Sequence, residues 1–293
     1  MKSRSGAPIP RGRSLARRRA INGIMSGLMG VAALLATLPL IFLLFHLLRA
    51  GASSIDLAFF TRMPRPVGEA GGGMANAIVG TLILVGIAAS IGLPVGVGAG
   101  LYLAEQRGAR LATSVRFLSD VLNGMPSIVM GIFAWHFLVR PIGHFSALAG
   151  GVALGAMMIP LVTRATEEMV RTVPTALREA ALALGYPRWR TSVSIVLRTA
   201  LPGIVTAALV AIARIAGETA PLLFTAFGNQ FWSVSLSQPI ASLPHQIYTY
   251  AKSPYDEWHR LAWAAALVLI GLVLTISVLA RFVTRSRHGG VGD

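Results

Sequence analysis

The stretch AGGGMANAIVGTLILVGIAASIGLPVGVGAGLYLA occupies residues 70–104 and contains no charged side chain. A bilayer core is crossed by a helix of roughly 20 apolar residues, so this stretch is long enough for one complete span with room to tilt. Within it, Gly92, Gly96 and Gly100 recur about one helical turn apart. Small residues at that spacing let two membrane helices approach closely, and we predict such an approach here.

Similar apolar stretches recur along the whole chain of 293 residues. Only 13% of the residues are charged, against roughly 25% in soluble domains, and the mean hydropathy is +0.67. We therefore predict an all-α membrane protein with about six transmembrane helices. The predicted spans cover residues 20–48, 70–104, 121–139, 141–163, 199–225 and 261–280.

Lys and Arg are distributed unevenly between the segments that join these spans. Of 26 such residues, nineteen lie in the N-terminal tail, after the second and fourth spans, or in the C-terminal tail. Six lie in the alternate loops, and Arg214 lies within the fifth span. Because basic residues concentrate in cytoplasmic loops, we predict that both termini are cytoplasmic, which requires an even number of spans. The net charge of +15 is therefore interpreted as a topology signal and not as a nucleic-acid-binding face.

The sequence lacks the residues on which several enzyme classes depend. Cysteine is absent, and neither the H-E-x-x-H metal motif nor the G-x-S-x-G nucleophile turn occurs. A Walker A loop needs a Gly-rich turn before Lys-Ser or Lys-Thr, and Lys252-Ser253 has no such glycines before it. We therefore expect no catalytic residue, no metal site, no cofactor and no ATP hydrolysis by a Walker A site in this chain.

Two opposite charges, Arg214 and Glu218, stand near the middle of the fifth predicted span, in the run IARIAGETAP at residues 212–221. On a continuous helix, residues four apart share one face. An Arg at the bilayer centre costs about 2.5–3.5 kcal/mol on insertion scales, so another interaction must offset it. One interpretation is a wet anion pathway, because the planar guanidinium matches oxyanion geometry. The other is an ion pair that only neutralises itself.

Ser127 and Asn76 are further polar candidates for such a pathway. Each lies in a predicted span and can hydrogen-bond to a passing anion. Helix capping and helix–helix hydrogen bonding are the competing explanations for polar residues at such positions.

The basic segment after the fourth span contains a helix signal outside the membrane. Good helix formers, TALREAALAL, occupy residues 175–184 directly after Pro174. Gly185 then fits the position that ends a helix, and Pro187 follows two residues later. We predict a short, stiff helix over residues 175–184, which by itself could be an ordinary amphipathic surface helix.

This segment resembles the EAA loop of the binding-protein-dependent permeases of bacterial ABC importers. The resemblance is carried by Glu179-Ala180-Ala181, then Gly185, then IVL at residues 195–197. In that family the short helix docks into a groove on the ATPase subunit. The resemblance therefore implies an ATPase-coupling role for these residues and a type I, MetI-like permease fold.

Arg198 departs from the family pattern, which often has Pro at that position. This difference affects the backbone geometry where the chain leaves the loop, and not the identification of the loop.

Other stretches resemble the phosphate-specific branch of the same family, and together they cover roughly residues 75–285. The resemblance implies a heterodimer with a sister permease, two ATPase subunits and a periplasmic phosphate-binding protein, with inorganic phosphate moving from periplasm to cytoplasm. It also implies that Arg214 and Glu218 belong to the translocation path. The similar stretches are NGMPSIVMG at residues 123–131, residues 213–227, NQFW at residues 229–232, QPIA at residues 238–241 and SPYDEW at residues 253–258.

Two other functions stay open on the residues alone. A permease for sulfate or molybdate would need the same kind of Arg, because all three substrates are oxyanions. A proton-coupled secondary transporter could use Glu218 as its proton carrier, although the sequence has no inverted repeat of the kind such transporters show. The sequence-level layout is a basic cytoplasmic tail at residues 1–19, a first transmembrane helix at 20–50, and a five-helix permease core at 70–285 with the coupling loop at 164–200.

Overall fold

The computed structural model describes residues 13–66, 69, 71–106 and 108–286. Its regular structure is helical, apart from one isolated bridge between Phe227 and Ile240. The helices are α1 (Arg13–Gly51), α2 (Leu57–Thr61), α3 (Ala75–Glu105), α4 (Arg110–Gly124), α5 (Ser127–Ala134), α6 (Arg140–Ile142), α7 (Ala147–Arg171), α8 (Thr175–Ala183), α9 (Arg188–Thr191), α10 (Leu197–Ala216), α11 (Ala220–Thr225), α12 (Leu243–Ala251) and α13 (Asp256–Ser286).

The chain divides into two compact units, residues 1–49 and residues 50–293. Helix α1 begins at Arg13, so residues 13–19 of the predicted tail are helical, whereas residues 1–12 lie outside the described part of the chain. The candidate functional residues all belong to the second unit.

Five helical segments in the described residues are long and apolar enough to cross a membrane. They are α1, α3, α7, the run Arg188–Ala216 and α13. The run Arg188–Ala216 joins α9 to α10 through a π-helical turn at Ser192–Val196. A sixth span exists if α4 and the following run Ser127–Ile142 count as one, with a bend of 106° between them. The prediction of an all-α membrane protein with about six spans is confirmed.

The third predicted span, residues 121–139, is not one straight helix. Helix α4 ends at Gly124, and α5 begins only after Met125 and Pro126. Proline forces the preceding residue out of the helical conformation, and Met125 is extended with φ −74° and ψ 136°. Pro126 is therefore the residue in the sequence that causes the bend.

The fourth span is displaced toward the C-terminus relative to the predicted residues 141–163. Helix α7 begins at Ala147, where the Ser146 side chain caps it by accepting the Ala149 N–H at 3.1 Å. It continues to Arg171, through charged residues that were assigned to a loop.

Helices α3 and α7 form the most extensive helix pair in the described residues, and glycines set their distance. A Cβ on Gly92 would lie 2.8 Å from the Met158 Cβ, and one on Gly96 would lie 2.7 Å from the Val162 Cβ. The two backbones thus meet where α3 has no side chains, which confirms the close approach predicted from the glycine spacing.

Apolar clusters hold α10 and α11 against this pair. One cluster joins Met158 of α7 to Ile215 of α10 and Leu222 of α11. Another joins Val170 of α7 to Ile204 of α10. These contacts fix α10 along α7 and so determine where its two ends lie.

Candidate functional site

Helix α10 ends at Ala216, two residues after Arg214, and the chain turns there. The N–H groups of Gly217 and Glu218 donate to the carbonyls of Arg214 and Ile215, each at 3.2 Å. A new helix, α11, then starts at Ala220. Pro221 in its first turn lacks the N–H that a continuous helix would direct to the Gly217 carbonyl. The prediction that Arg214 and Glu218 share one face of an unbroken helix is therefore wrong.

Arg214 stands in the last turn of α10 with an exposed side chain, whereas Glu218 is half-buried beyond the helix end. None of the ion pairs among the described residues involves Arg214, so the self-neutralising Arg214–Glu218 pair does not form in this conformation. A cation at a helix C-terminus interacts favourably with the helix dipole. The guanidinium is thus held at a break between two helices with its donors available to a ligand.

The middle of α5 packs on the α11 side of the same break. Gly131 of α5 packs so closely on α11 that a Cβ there would lie 2.8 Å from the Pro221 Cα and 3.1 Å from the Phe224 ring. Ser127, the first residue of α5, lies one turn before Gly131 and is half-buried. Two interrupted helices, α4–α5 and α10–α11, therefore pack against each other near their interruptions.

Asn76 has a different environment from the one predicted for a pathway residue. Its side chain is 2% exposed, and its amide donates to the carbonyls of Asn229 and Gln230 at 3.0 and 3.3 Å. Its Oδ1 accepts the Ala77 N–H at 2.9 Å. Asn76 thus anchors the loop after α11 to the start of α3, a helix–loop contact that was not among the predicted roles.

The predicted extramembrane helix is present as α8 and ends in a Schellman motif. The Gly185 N–H donates to the Leu182 carbonyl at 3.0 Å, and the Tyr186 N–H donates to the Ala181 carbonyl at 3.2 Å. This motif needs a left-handed residue, and Gly185 has φ +83°. The glycine predicted to end the helix therefore has the conformation that only glycine adopts without strain.

Helix α8 buries Ala181 but leaves Glu179 and Ala180 exposed. Large apolar side chains on α8, at its C-terminal end and on α9 are also exposed, by 42–78%. An uncovered apolar surface of this kind is typical of a protein–protein contact. Its members are Leu177, Leu182, Leu184 and Trp189.

A cluster of charged residues that is not among the sequence predictions lies at the C-terminal end of α7. Glu167, 1% exposed, accepts from Arg116 of α4 at 2.7 Å, from Arg164 at 3.1 Å and from Arg171 at 2.5 Å. Arg164 also pairs with Asp120 of α4 at 2.7 Å. This network joins α4 to α7 and explains why α7 can continue through charged residues.

A signal for the cluster exists in the sequence. Arg164, Glu167 and Arg171 follow the i, i+3 and i, i+7 spacing of one helical face. The hydropathy pattern places residues 164–171 in a loop, and helical spacing carries no information in a loop.

Comparison with known families gives one model that matches residues 96–288, described as the binding-protein-dependent transport system inner membrane component. The chain is 47% identical over 273 residues to the phosphate transport system permease protein PstA of Yersinia pestis, covering 92% of each chain. It is 38% identical over 280 residues to PstA 1 of Mycobacterium tuberculosis strain H37Rv, covering 93% of this chain and 91% of the relative.

Two solved structures have a similar fold. A chain of the inward-facing MetNI methionine ABC transporter superposes with a TM-score of 0.60 at 21% identity, covering 73% of this chain and 96% of the other. A chain of a bacterial alginate ABC transporter superposes with a TM-score of 0.67 at 15% identity, covering 93% and 98%. At these identities the likeness concerns the fold, which is that of a type I importer permease.

Proposed function

The chain belongs to the family of binding-protein-dependent transport system inner membrane components, and from this premise we propose that it is the permease subunit that moves inorganic phosphate into the cytoplasm. As a family member it is a membrane permease, and ATP hydrolysis belongs to a separate subunit. The observation that carries the choice of phosphate is the 47% identity, over 92% of both chains, to a phosphate permease. The oxyanion chemistry of Arg214 agrees with this choice but does not distinguish phosphate from sulfate.

The proposed assembly contains a sister permease, two ATPase subunits and a periplasmic phosphate-binding protein. The surplus of basic residues in alternate segments supports cytoplasmic termini in a multi-pass protein of the bacterial inner membrane. In this orientation the end with α8 faces the cytoplasm, where ATP is available.

The proposed pathway passes the two interrupted helices. Arg214 offers charge-assisted hydrogen bonds to the anion at the end of α10, with Glu218 and Ser127 on the adjoining segments. Binding there must be weak, because a conducting site has to release what it accepts. Asn76 is assigned to anchoring the outer loop, since its polar atoms are already bonded.

The proposed ATPase contact is the surface of α8. Glu179, Ala180, Ala181 and Gly185 belong to this helix and its end, and exposed leucines surround them. When ATP binds to the partner, the movement of α8 changes the packing of the permease pair and exposes the pathway alternately to each side.

Uptake of radiolabelled phosphate by cells that lack the chain, and by the same cells with it restored, tests the substrate. Restored uptake that is insensitive to excess sulfate supports the proposal. Uptake of sulfate or molybdate in place of phosphate would overturn the substrate and leave the permease assignment intact. Transport by the chain alone in liposomes under a proton gradient would overturn the ATP-driven mechanism.

A further inference from the structure

Helix α8 is connected to the permease body in two different ways. Its backbone packs on α9 and on the π-turn Ser192–Val196, which lead into α10. Its backbone makes little contact with α3. A displacement of α8 would therefore pass directly to α10, whereas α3 needs another link to follow it.

Arg178 on α8 supplies such a link. Its guanidinium forms an ion pair with the carboxylate of Glu105, the last residue of α3, and donates to the Val170 carbonyl of α7 at 3.2 Å. The two charged side chains are only 20% and 29% exposed. The pair thus connects α8 to the ends of both helices of the glycine-packed α3–α7 pair.

The last turn of α3 is also connected to α4. Arg116 of α4 donates to the Leu103 carbonyl at 2.6 Å and to Glu167 of α7 at 2.7 Å. Helix α4 ends at the bend that precedes Ser127. Two polar links in series therefore lead from α8 through the end of α3 to the helix that positions Ser127.

The surroundings of the Arg178–Glu105 pair leave space for movement. A cavity of about 210 Å³ is lined by this pair together with Leu182 of α8 and Val196 of the π-turn. The cost of removing two partly buried charges from water offsets much of their attraction, so stability alone is a poor reason for this pair. A link across a loosely packed junction keeps two elements together while they move.

On the basis of the proposed function, we propose that the Arg178–Glu105 ion pair transmits the ATPase-driven movement of α8 into the α3–α7 pair. Both are positioning residues and do not touch the substrate in this mechanism. Without the pair, α8 still binds the ATPase through its apolar surface, but α3 and α7 no longer follow it.

The test is a charge swap in the complete transporter, reconstituted with the sister permease, the ATPase and the binding protein. Glu105→Arg changes the link without altering the docking helix, Arg178→Glu changes it from the other side, and the double variant restores the opposite charges. The readouts are co-purified ATPase, basal ATP hydrolysis, its stimulation by phosphate-loaded binding protein, and phosphate uptake. Gln106→Arg is the matched control, because it introduces the same guanidinium group at the next, exposed residue and leaves Glu105 in place.

We expect Glu105→Arg to retain the ATPase and basal hydrolysis while stimulation and uptake fall by roughly fivefold or more, the lower end of typical coupling effects. The double variant should regain at least half of the loss, and Gln106→Arg should match the wild type. If Glu105→Arg prevents assembly, Glu105→Gln removes the pair without reversing the charge and should lower stimulation less strongly.

Wild-type stimulation in Glu105→Arg, or an assembled double variant no better than either single one, would overturn the proposal. If the wild-type complex responds to sulfate or molybdate and not to phosphate, the substrate proposal fails separately. The charge-swap variants are then assayed with the anion that stimulates ATP hydrolysis in the wild-type complex.

Discussion

Gly100 of α3 lies so close to Thr163 of α7 that a Cβ on the glycine would stand 2.5 Å from the Thr163 carbonyl oxygen. The same Cβ would stand 2.6 Å from the Thr166 Cβ. A backbone atom cannot rotate away as a flexible side chain can, so any larger residue at this position has to separate the two helices. At Gly100 the contact between α3 and α7 therefore depends on the absence of a side chain.

Gly100→Ala should destabilise the protein by about 1–3 kcal/mol, the range typical of overpacking. Gly98→Ala is the matched control, because it lies on the same helix with no atom within 4 Å of its Cβ position. Thermal unfolding of the purified variants in detergent measures the difference. Equal melting temperatures for the two variants would contradict the packing described here.

Replacement of Glu167 should destabilise the junction of α4 and α7. Glu167→Gln keeps the shape of the side chain but leaves Arg116, Arg164 and Arg171 without their shared carboxylate. Breaking a buried pair costs roughly 3–5 kcal/mol, and the partial exposure of the arginines should place this loss at or below the lower end. Glu168→Gln provides the control, since Glu168 is exposed and forms no described ion pair. Thermal unfolding that is equally affected by both changes would exclude the special role of Glu167.

Substitution of Gly185 should impair coupling more than folding. The residue has φ +83° with open space around its Cβ position, so alanine is strained there but not crowded. That strain is about 1–2 kcal/mol at a single residue, enough to shift the end of α8. Asparagine tolerates the left-handed conformation better. We therefore expect stimulated ATP hydrolysis to decrease in the order glycine, asparagine, alanine, valine, at constant protein level. Equal activity of asparagine and valine variants would argue against a conformational role.

His245 on α12 should make the outer loop sensitive to acid. The α12 helix lies outside the membrane-spanning segments, and a Cβ on Gly228 would be 2.6 Å from the His245 ring. Burial lowers the pKa of His245 from its usual 6.5, and Nδ1 has no hydrogen-bond partner among the described residues. The unfolded chain therefore binds the proton more tightly, so stability is complete above pH 6.5 and decreases as the pH falls below it.

The measurement for His245 is the melting temperature as a function of pH, from about pH 7.5 to about pH 5.5. Through one such group, the free energy of unfolding can change by no more than about 1.4 kcal/mol per pH unit. His245→Gln should have a shallower dependence than the wild type, and substitution of the exposed His144 should leave it unchanged. An unchanged slope in His245→Gln would assign the acid sensitivity to other groups.

The sequence predicted the spans and helix α8 because their signals are local. An apolar run, the glycines at positions 92, 96 and 100, and the Gly185 helix end each act through neighbours one turn away. Pro126 and Pro221 are local signals as well, but the predicted spans run through them because hydropathy alone is not sensitive to a missing N–H.

The charge network could not be found in the same way. Arg116 and Glu167 are 51 residues apart, and only the packing of α4 on α7 brings them together. Glu105 and Arg178 are 73 residues apart and meet because the first turn of α8 lies beside the end of α3. Long-range polar contacts of this kind depend on helix placement, which periodicity does not specify.

The strongest test of the proposed pathway is to replace Arg214 with other side chains, because this changes the cationic group that would bind the anion. Lysine keeps the positive charge but loses the planar fork that binds an oxyanion through two N–H groups. We therefore expect phosphate uptake to decrease in the order arginine, lysine, glutamine. The exposed side chain forms no described ion pair, so these changes should alter the free energy of unfolding by no more than about 0.5 kcal/mol. Thermal unfolding checks this.

Glu218→Gln serves as the companion to the Arg214 series. The carboxylate lies beyond the helix break and does not pair with Arg214 in this conformation, so its removal should alter uptake less than loss of the guanidinium. Full uptake by Arg214→Lys would mean that Arg214 contributes only its positive charge and that its paired N–H groups are not required. A glutamine variant with full uptake would exclude Arg214 from the path, because no other residue of the α10–α11 break carries a positive charge.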